Sequence, residues 1–388
     1  MKISMFFLLL ILCAALSPSL AVTGSFKPEI SLTGNRDSTR FLLTAPLRLM
    51  YRTGSGVLSL KAAWTLTPSA GDPALNDSDL PRRGVFRIRT LASGILPDDT
   101  GDGSYSLVHE LNRFSLEWRP RPFSVKAGRQ AVFWGVARSV SPTDIVAPLP
   151  YGTIDTEYRS GVDAVRVRFQ LGMLSQLETG CALGRDCSAD SSAFWARGRF
   201  YILRTDVNLL AALRRGDTVA GFSLNRTLGG ATAWVETAVV YPDDPDFSAS
   251  SYWSMTAGFD RAFLDAALYA YLEYHHSSPG SKDPEGYAAV MSGYPYKSGG
   301  VSLLGKNYLS PGISWTPSPL WTVGSSALLN LGDGSGALSL SAEYSLGDNL
   351  LLLLGGSAGI SFKGGADADN SEFFSWTDRV SFSLGYYF

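Results

Sequence analysis

The chain is poor in the residues that build catalytic and redox centres. Its 388 residues include three cysteines and three histidines, and only 18% of positions are charged. Cys13 lies in the N-terminal apolar segment, which leaves Cys181 and Cys187 in the polar stretch GCALGRDCSADSS. Two thiols with no histidine beside them fall short of the four ligands of a structural zinc site. In an oxidising compartment they are expected to close a small disulfide loop, with free thiols as the alternative. Of the histidines, His109 stands alone, and His275 and His276 are adjacent at a strand end, so they point to opposite faces and complete no triad. Phosphate-loop, zinc and nucleic-acid signatures are missing as well. The run Asp243-Asp244-Pro245-Asp246 reads as an acidic surface loop rather than a calcium site. The sequence therefore argues against an enzyme, and no metal, cofactor or nucleic-acid partner is expected.

Long hydrophobic runs are missing after the first 21 residues. MKISMFFLLLILCAALSPSLA carries one lysine, an apolar run from Ile3 to Leu16 and the small-x-small site Ser19-Leu20-Ala21. This reads as a cleaved export signal over 1–21, its apolar run being shorter than the roughly 20 residues a spanning helix needs. Beyond it the apolar runs, such as Leu350 to Leu354, are far shorter than a spanning helix, which excludes helical membrane spans.

What the chain does have is glycine (40), phenylalanine (20), tyrosine (17) and tryptophan (9), a composition of strands and turns. Apolar and polar residues alternate. In DRVSFSLGYYF, Val380, Phe382, Leu384, Tyr386 and Phe388 oppose Ser381, Ser383 and Gly385. In DAVRVRFQ, Val165, Val167 and Phe169 oppose Arg166 and Arg168, and in FWARGRFYI, Phe194, Ala196, Phe200 and Ile202 oppose Arg197 and Arg199. The template finds about 18 two-faced strands, the fourth near 82–91 and one near 349–360 ambiguous. Arginine at alternate strand positions is costly in a dry core and cheap beside water. The expected fold is therefore all-β: one transmembrane antiparallel β-barrel of about 16 to 18 strands over 22–388, apolar face to lipid and polar face to the lumen. Tyr51, Trp64, Trp118, Trp195, Tyr241, Tyr274, Trp315, Trp321, Tyr386 and Tyr387 are read as aromatic girdles. Tight links at 119–122, 214–217, 228–231, 316–319 and 346–349 are assigned to the periplasmic end, and long polar links to the outside.

One stretch breaks the alternation. GRQAVFWGVARSVSPTDIVAPLP, residues 128–150, holds Gly135, Pro142, Pro148 and Pro150, which prevent a continuing strand. Irregular backbone at membrane depth is tolerated only where it lines a cavity. Residues 132–159 are therefore expected to enter the lumen as a constriction, bringing Arg129, Arg138, Asp144, Asp155, Glu157 and Arg159 against wall arginines; an outward surface loop is the alternative. Asp144 is placed to cap a turn or to receive an arginine.

Charge is unevenly spread. From Arg36 to Arg215 basic residues exceed acidic ones by 7, and from Gly216 onward acids exceed bases by 10, so the barrel is expected to have a basic and an acidic wall. Arg40, Arg48 and Arg52 share one strand face; so do Arg83, Arg87 and Arg89, then Arg166 and Arg168, then Arg197 and Arg199. Such forks either favour anions or pair with acids and stiffen the wall.

These residues resemble a family. The signal, the alternation and the terminal Ser-Leu-Gly-Tyr-Tyr-Phe are similar to a Gram-negative outer-membrane β-barrel. In that superfamily the final aromatic residue, here Phe388, forms part of the signal read by the barrel-insertion machinery. Gly128-Arg129-Gln130, Trp134-Gly135 and Pro142-Thr143-Asp144 resemble a GRQ…WG…PTD segment in a group of porin-like outer-membrane proteins. The resemblance implies a pore with an inward-folded segment, surrounded by outer-membrane lipid and lipopolysaccharide and passing small polar solutes; it leaves homo-oligomerisation open. The expected function is passive diffusion of small hydrophilic, anion-tolerant solutes, with selectivity moved by Arg166→Glu or Arg168→Glu. The alternative is a plugged barrel serving as scaffold or export partner of a periplasmic complex.

Overall fold

The computed structural model describes residues 21–34, 39–71, 86–89, 92–95, 105–148, 159–244, 247, 249–363, 369–374 and 376–388. One sheet closes on itself. Two of its strands are interrupted near prolines, which have no N–H for the ladder. The first comprises β1 (Ala21–Phe26) and β2 (Glu29–Gly34) on either side of Pro28, the second β3 (Thr39–Thr44) and β4 (Leu47–Ser55) on either side of Pro46. There follow β5 (Leu58–Gly71), the short β6 (Ala92–Ile95), β7 (Tyr105–Trp118), β8 (Phe123–Gln130), β9 (Val162–Gln170), β10 (Gln176–Ala182) and β11 (Ala193–Ile202). The rest are β12 (Thr205–Arg214), β13 (Asp217–Leu228), β14 (Ala231–Tyr241), β15 (Tyr252–Phe263), β16 (Leu268–Ser277), β17 (Asn307–Ser318), β18 (Trp321–Asn330), β19 (Ser335–Gly347), β20 (Leu350–Ser361) and β21 (Asp378–Tyr387). Taking the interrupted pairs as single strands and setting β6 aside, the fold is a closed, antiparallel, 18-strand barrel.

β1 and β2 close the barrel on β21, and Gly24 and Phe388 exchange backbone hydrogen bonds of 2.6 and 3.0 Å. The alternation sets the faces. Val380, Phe382 and Tyr386 are exposed on the outside, while Ser381 and Ser383 are buried. Trp195 departs from the predicted girdle: at 3% exposure it faces inward, because it shares parity with Arg197 and Arg199. His275 and His276 do lie on opposite faces, His275 bonded to Thr256 and His276 stacked on Trp253.

Successive hairpins must alternate between barrel ends. The links at 119–122, 228–231, 316–319 and 346–349 share one end, with both the β1 start and Phe388. The tight Arg215-Gly216 turn therefore belongs to the opposite, long-loop end, contrary to its periplasmic assignment. Its shortness leaves room for the β16–β17 connection to lie over the wall there. Tyr294 donates to Asp217 (2.6 Å), and Arg214 donates to the carbonyls of Ser298 and Gly299 (3.2 and 3.0 Å).

The predicted fourth strand near 82–91 is not a strand at Phe86–Arg89, and Arg83 lies outside the described residues. β8 leaves the wall after Gln130, and the vacated place between β7 and β9 is taken by residues 86–89 and 92–95. Asp163 N–H donates to the Phe86 carbonyl, Ile88 N–H donates to Asp163 Oδ2, and β6 pairs with β7. Arg87 is consequently a buried seam residue, paired with Glu110 and donating to the Gly161 carbonyl (2.8 Å), rather than one of a face of lumenal arginines.

The cysteine expectation is also corrected: both thiols are free. Cys181 sits on β10 opposite Val165 and Phe194, whose side chains face outward, whereas Cys187 is exposed in the following loop. The strand parity turns Cys181 to the outer face of the barrel, away from that loop.

At the long-loop end a small core (Leu303, Tyr308, Leu328, Ala337, Phe373) docks the β20–β21 connection. Its polar clasp is Glu372, which accepts Leu304 N–H (2.7 Å), Tyr308 O–H (2.5 Å) and Asn330 Nδ2–H (2.8 Å). Burial, with Asp333 nearby, pushes the Glu372 carboxyl above its ordinary value. Docking thus favours the protonated acid; this contribution is present in acid and is lost as pH rises through the raised pKa. Proteolysis around 369–374 is expected to be slower at about pH 5 than at about pH 8, and the reverse order would refute the clasp.

Candidate functional site in the lumen

The site begins where β8 leaves the wall. Gly128 has φ +108°, and a Cβ there would lie 2.2 Å from the Phe114 carbonyl oxygen. Only glycine fits this conformation and approach. Residues 131–148 then cross the lumen without regular structure, so their amides have no ladder to satisfy them. Carboxylates do this instead. Glu236 on β14, fully buried, accepts the N–H groups of Val136 (2.7 Å), Ala137 (3.1 Å) and Thr143 (2.8 Å) and the hydroxyls of Ser141 (2.6 Å) and Thr143 (2.8 Å). Glu273 on β16 accepts the N–H groups of Arg138 (2.6 Å) and Ser139 (2.7 Å), the Ser139 hydroxyl, and Trp234 Nε1–H (2.8 Å). Within the segment, Asp144 accepts Trp134 and Gly135 N–H (2.5 and 2.9 Å). Gly135 is required at this fold-back, since a Cβ would come within 1.8 Å of Ser141 Oγ.

The facing wall is organised by Glu178 on β10. Its Oε2 accepts Arg166 (2.6 Å) and Arg168 (2.7 Å), and its Oε1 accepts the indole N–H groups of Trp134 (3.0 Å) and Trp195 (3.2 Å). The two indoles pack edge to face at 5.1 Å. The segment is thus clamped between a carboxylate hub on β10 and two carboxylates on β14 and β16.

The predicted residues separate into three groups. Arg129 is 3% exposed and ties β8 to β9 through Asp163 (2.7 Å), with further bonds to the carbonyls of Leu111 and Arg89; it holds the seam and does not reach the lumen. Arg138, Asp144 and Arg159 do lie on the inward segment but do not meet wall arginines. Arg138 pairs with Asp260 (2.8 Å) over the Trp234 ring, and Arg159 pairs with Asp144 (2.8 Å) over the Phe133 ring. Asp155 and Glu157 lie outside the described residues. In the third group, Arg168, Arg197 and Arg199 keep part of their surface open to the lumen, whereas Arg166 is 7% exposed. Arg199 pairs with Asp206 (3.1 Å), and Arg197 donates to Asn208 (2.6 Å) with no ion pair among the described residues. Arg89 contributes its carbonyl to Arg129.

A cavity of about 240 Å³ lies between the segment and this wall, lined by Phe133, Trp134, Gly135, Val136, Arg197, Arg199, Asp206, Asn208 and Asn225. A second of about 160 Å³ lies on the long-loop side of the segment, between Ile145, Tyr252 and Val301. Sequence reasoning missed Glu178, Glu236, Glu273, Phe133 and the two asparagines. For two of the acids a signal existed: Glu236 and Glu273 are inward by parity, yet their cross-strand partners are Ser223 and Thr256, and Gly258 and Ser310, none of them a cation. A buried acid without a cross-strand cation must find donors elsewhere.

The architecture is an 18-strand antiparallel barrel narrowed from within, and it is found in solved structures. Similar solved structures include Pseudomonas aeruginosa OccK2 (OpdF) in complex with glucuronate (11% identity, 95% of this chain and 98% of that one, TM-score 0.57). Pseudomonas aeruginosa OpdK with vanillate (12%, 95% and 98%, 0.52) and Acinetobacter baumannii OccAB3 (10%, 96% and 100%, 0.57) are also similar. At these identities the likeness is one of fold. No protein-family model and no curated protein matches the chain.

Proposed function

We propose that the protein is an outer-membrane channel for passive diffusion of small hydrophilic solutes, with a preference for anions. Residues 1–21 serve as its export signal, and Phe388 takes part in recognition by the insertion machinery. The reading is carried by the distribution of spent and unspent charge around the segment. The acids Glu178, Glu236, Glu273, Asp144 and Asp260 are engaged by amides, indoles or arginines, while Arg197 faces the 240 Å³ cavity hydrogen-bonded to the neutral Asn208, its cross-strand neighbour Glu178 being already bonded to Arg166 and Arg168. Arg168 and Arg199 add partly open guanidinium groups beside it. Guanidinium forks recognise carboxylates, and Phe133, Asn208 and Asn225 supply an aromatic face and hydroxyl-binding amides. A ring-bearing carboxylate of the kind bound by OccK2 and OpdK suits this lining.

In planar bilayers under a salt gradient, discrete conductance steps with a reversal potential on the anion side are expected, and millimolar glucuronate or vanillate is expected to reduce the current. Stable insertion without conductance would refute the channel and leave the plugged scaffold.

A further inference from the structure

The outer face of the barrel carries almost no charge. Residues paired across strands share a face, so the register shows which charged side chains point outward. Among the described strand residues these are the sealed Arg129–Asp163 pair, Asp378 at the long-loop rim, and two arginines, Arg226 on β13 and Arg261 on β15. Arg226 stands in the row Thr205, Arg226, Ala233, Phe259; Arg261 stands in the neighbouring row Leu228, Ala231, Arg261, Ala270. They therefore bracket β14 at the short-turn end, close to where β13 ends at Leu228 and β15 at Phe263. Both are exposed, and neither forms an ion pair among the described residues; Arg261 lies 5.3 Å over the Phe263 ring.

Arginine on a lipid-facing wall is unfavourable at the midplane and nearly neutral at the interface, where the side chain reaches the headgroups. Two interstrand spacings and a two-residue offset put the two Cα atoms roughly 12 Å apart. That gap is one that two arginine side chains close on a single headgroup. Between them β14 presents only Ala231 and Ala233, a shallow groove with exposed Leu228 and Phe259 at its sides.

We propose that Arg226 and Arg261 form a binding site for the phosphate of an anionic glycerophospholipid in the leaflet at the short-turn end, with an acyl chain lying along Ala231 and Ala233. The charge complementarity is that of guanidinium for phosphate. The proposal rests on the barrel's membrane placement and is independent of whether it conducts.

The test uses the full protein in detergent with phosphatidylglycerol or phosphatidylethanolamine of identical acyl chains, bound lipids being counted by native mass spectrometry. Phosphatidylglycerol is expected to be retained about tenfold more than phosphatidylethanolamine. The double variant Arg226→Gln, Arg261→Gln is expected to lose that preference while keeping heat-modifiable migration; Arg226→Lys, Arg261→Lys is expected to keep part of it. Equal retention of the two lipids by the unaltered protein would overturn the proposal, as would a preference unchanged in the glutamine variant. So would an arginine-dependent preference for lipopolysaccharide alone, which belongs to the other leaflet.

Discussion

Glu236→Gln is expected to raise single-channel conductance about threefold and to weaken ion selectivity, with the barrel itself intact. The wild-type carboxylate accepts five hydrogen bonds from the inward segment. Glutamine keeps the volume but turns one oxygen into an NH₂ group, which faces either the amides of Val136 and Ala137 or the donors of Ser141 and Thr143. Each buried donor left unpaired costs about 1–3 kcal/mol, so at least two such losses outweigh the contacts that hold this part of the segment in place. The strands should be unaffected, because Glu236 lends only its side chain to the segment and its backbone stays in the β13–β14–β15 ladder. Bilayer recordings and heat-modifiable migration check the two halves of this expectation. An unchanged conductance in a folded barrel would mean that the segment is held by its other clamps alone. Glu273→Gln should act in the same direction through Arg138 and Ser139.

Changing Arg197 and Arg199 together, Arg197→Gln with Arg199→Glu, glutamine being used at 197 because Arg197 lies directly across from Glu178 on β10, is expected to carry the channel from anion to cation preference, a change of about tenfold in the permeability ratio. Salt-gradient reversal potentials measure it, and a ratio that stays on the anion side would remove these two residues from the selective path. This pair replaces Arg166 as the test position. Arg166→Glu would set two carboxylates against each other at Glu178, inside a buried cluster, and would report on stability rather than on selectivity. Arg168 is intermediate: it shares Glu178 but keeps about a third of its side chain exposed.

The outline of the barrel was legible because a membrane strand writes its two environments into alternate residues. Val380, Phe382 and Tyr386 against Ser381 and Ser383 are outer face against lumen, and no knowledge of neighbours is needed to see it. The 128–150 segment was legible for the converse reason, as prolines and glycines cannot continue a ladder. What parity could not show is where an individual polar group finds its partner. Arg87 looked like a wall arginine, because the sequence near 82–91 alternates; its backbone instead patches the opening that β8 leaves. Arg129 looked lumenal because it opens the segment, yet it is consumed by Asp163 in the same seam.

The larger omission concerns the acids. An excess of acids after Gly216 was visible as composition and read as a charged wall. Their use is different: Glu236 and Glu273 receive backbone amides of a segment about 100 and 135 residues earlier in the chain. Amides carry no residue identity, so nothing in Val136, Ala137 or Ser139 announces a carboxylate partner. The sequence alone determined that this chain forms a two-faced barrel and interrupts that barrel once with a non-strand segment, because solvent environment and backbone capability are properties of each residue. The tertiary structure alone decided which charges face the cavity, because an ion pair or an amide–carboxylate bond is a property of two places in the chain brought together only when the barrel closes.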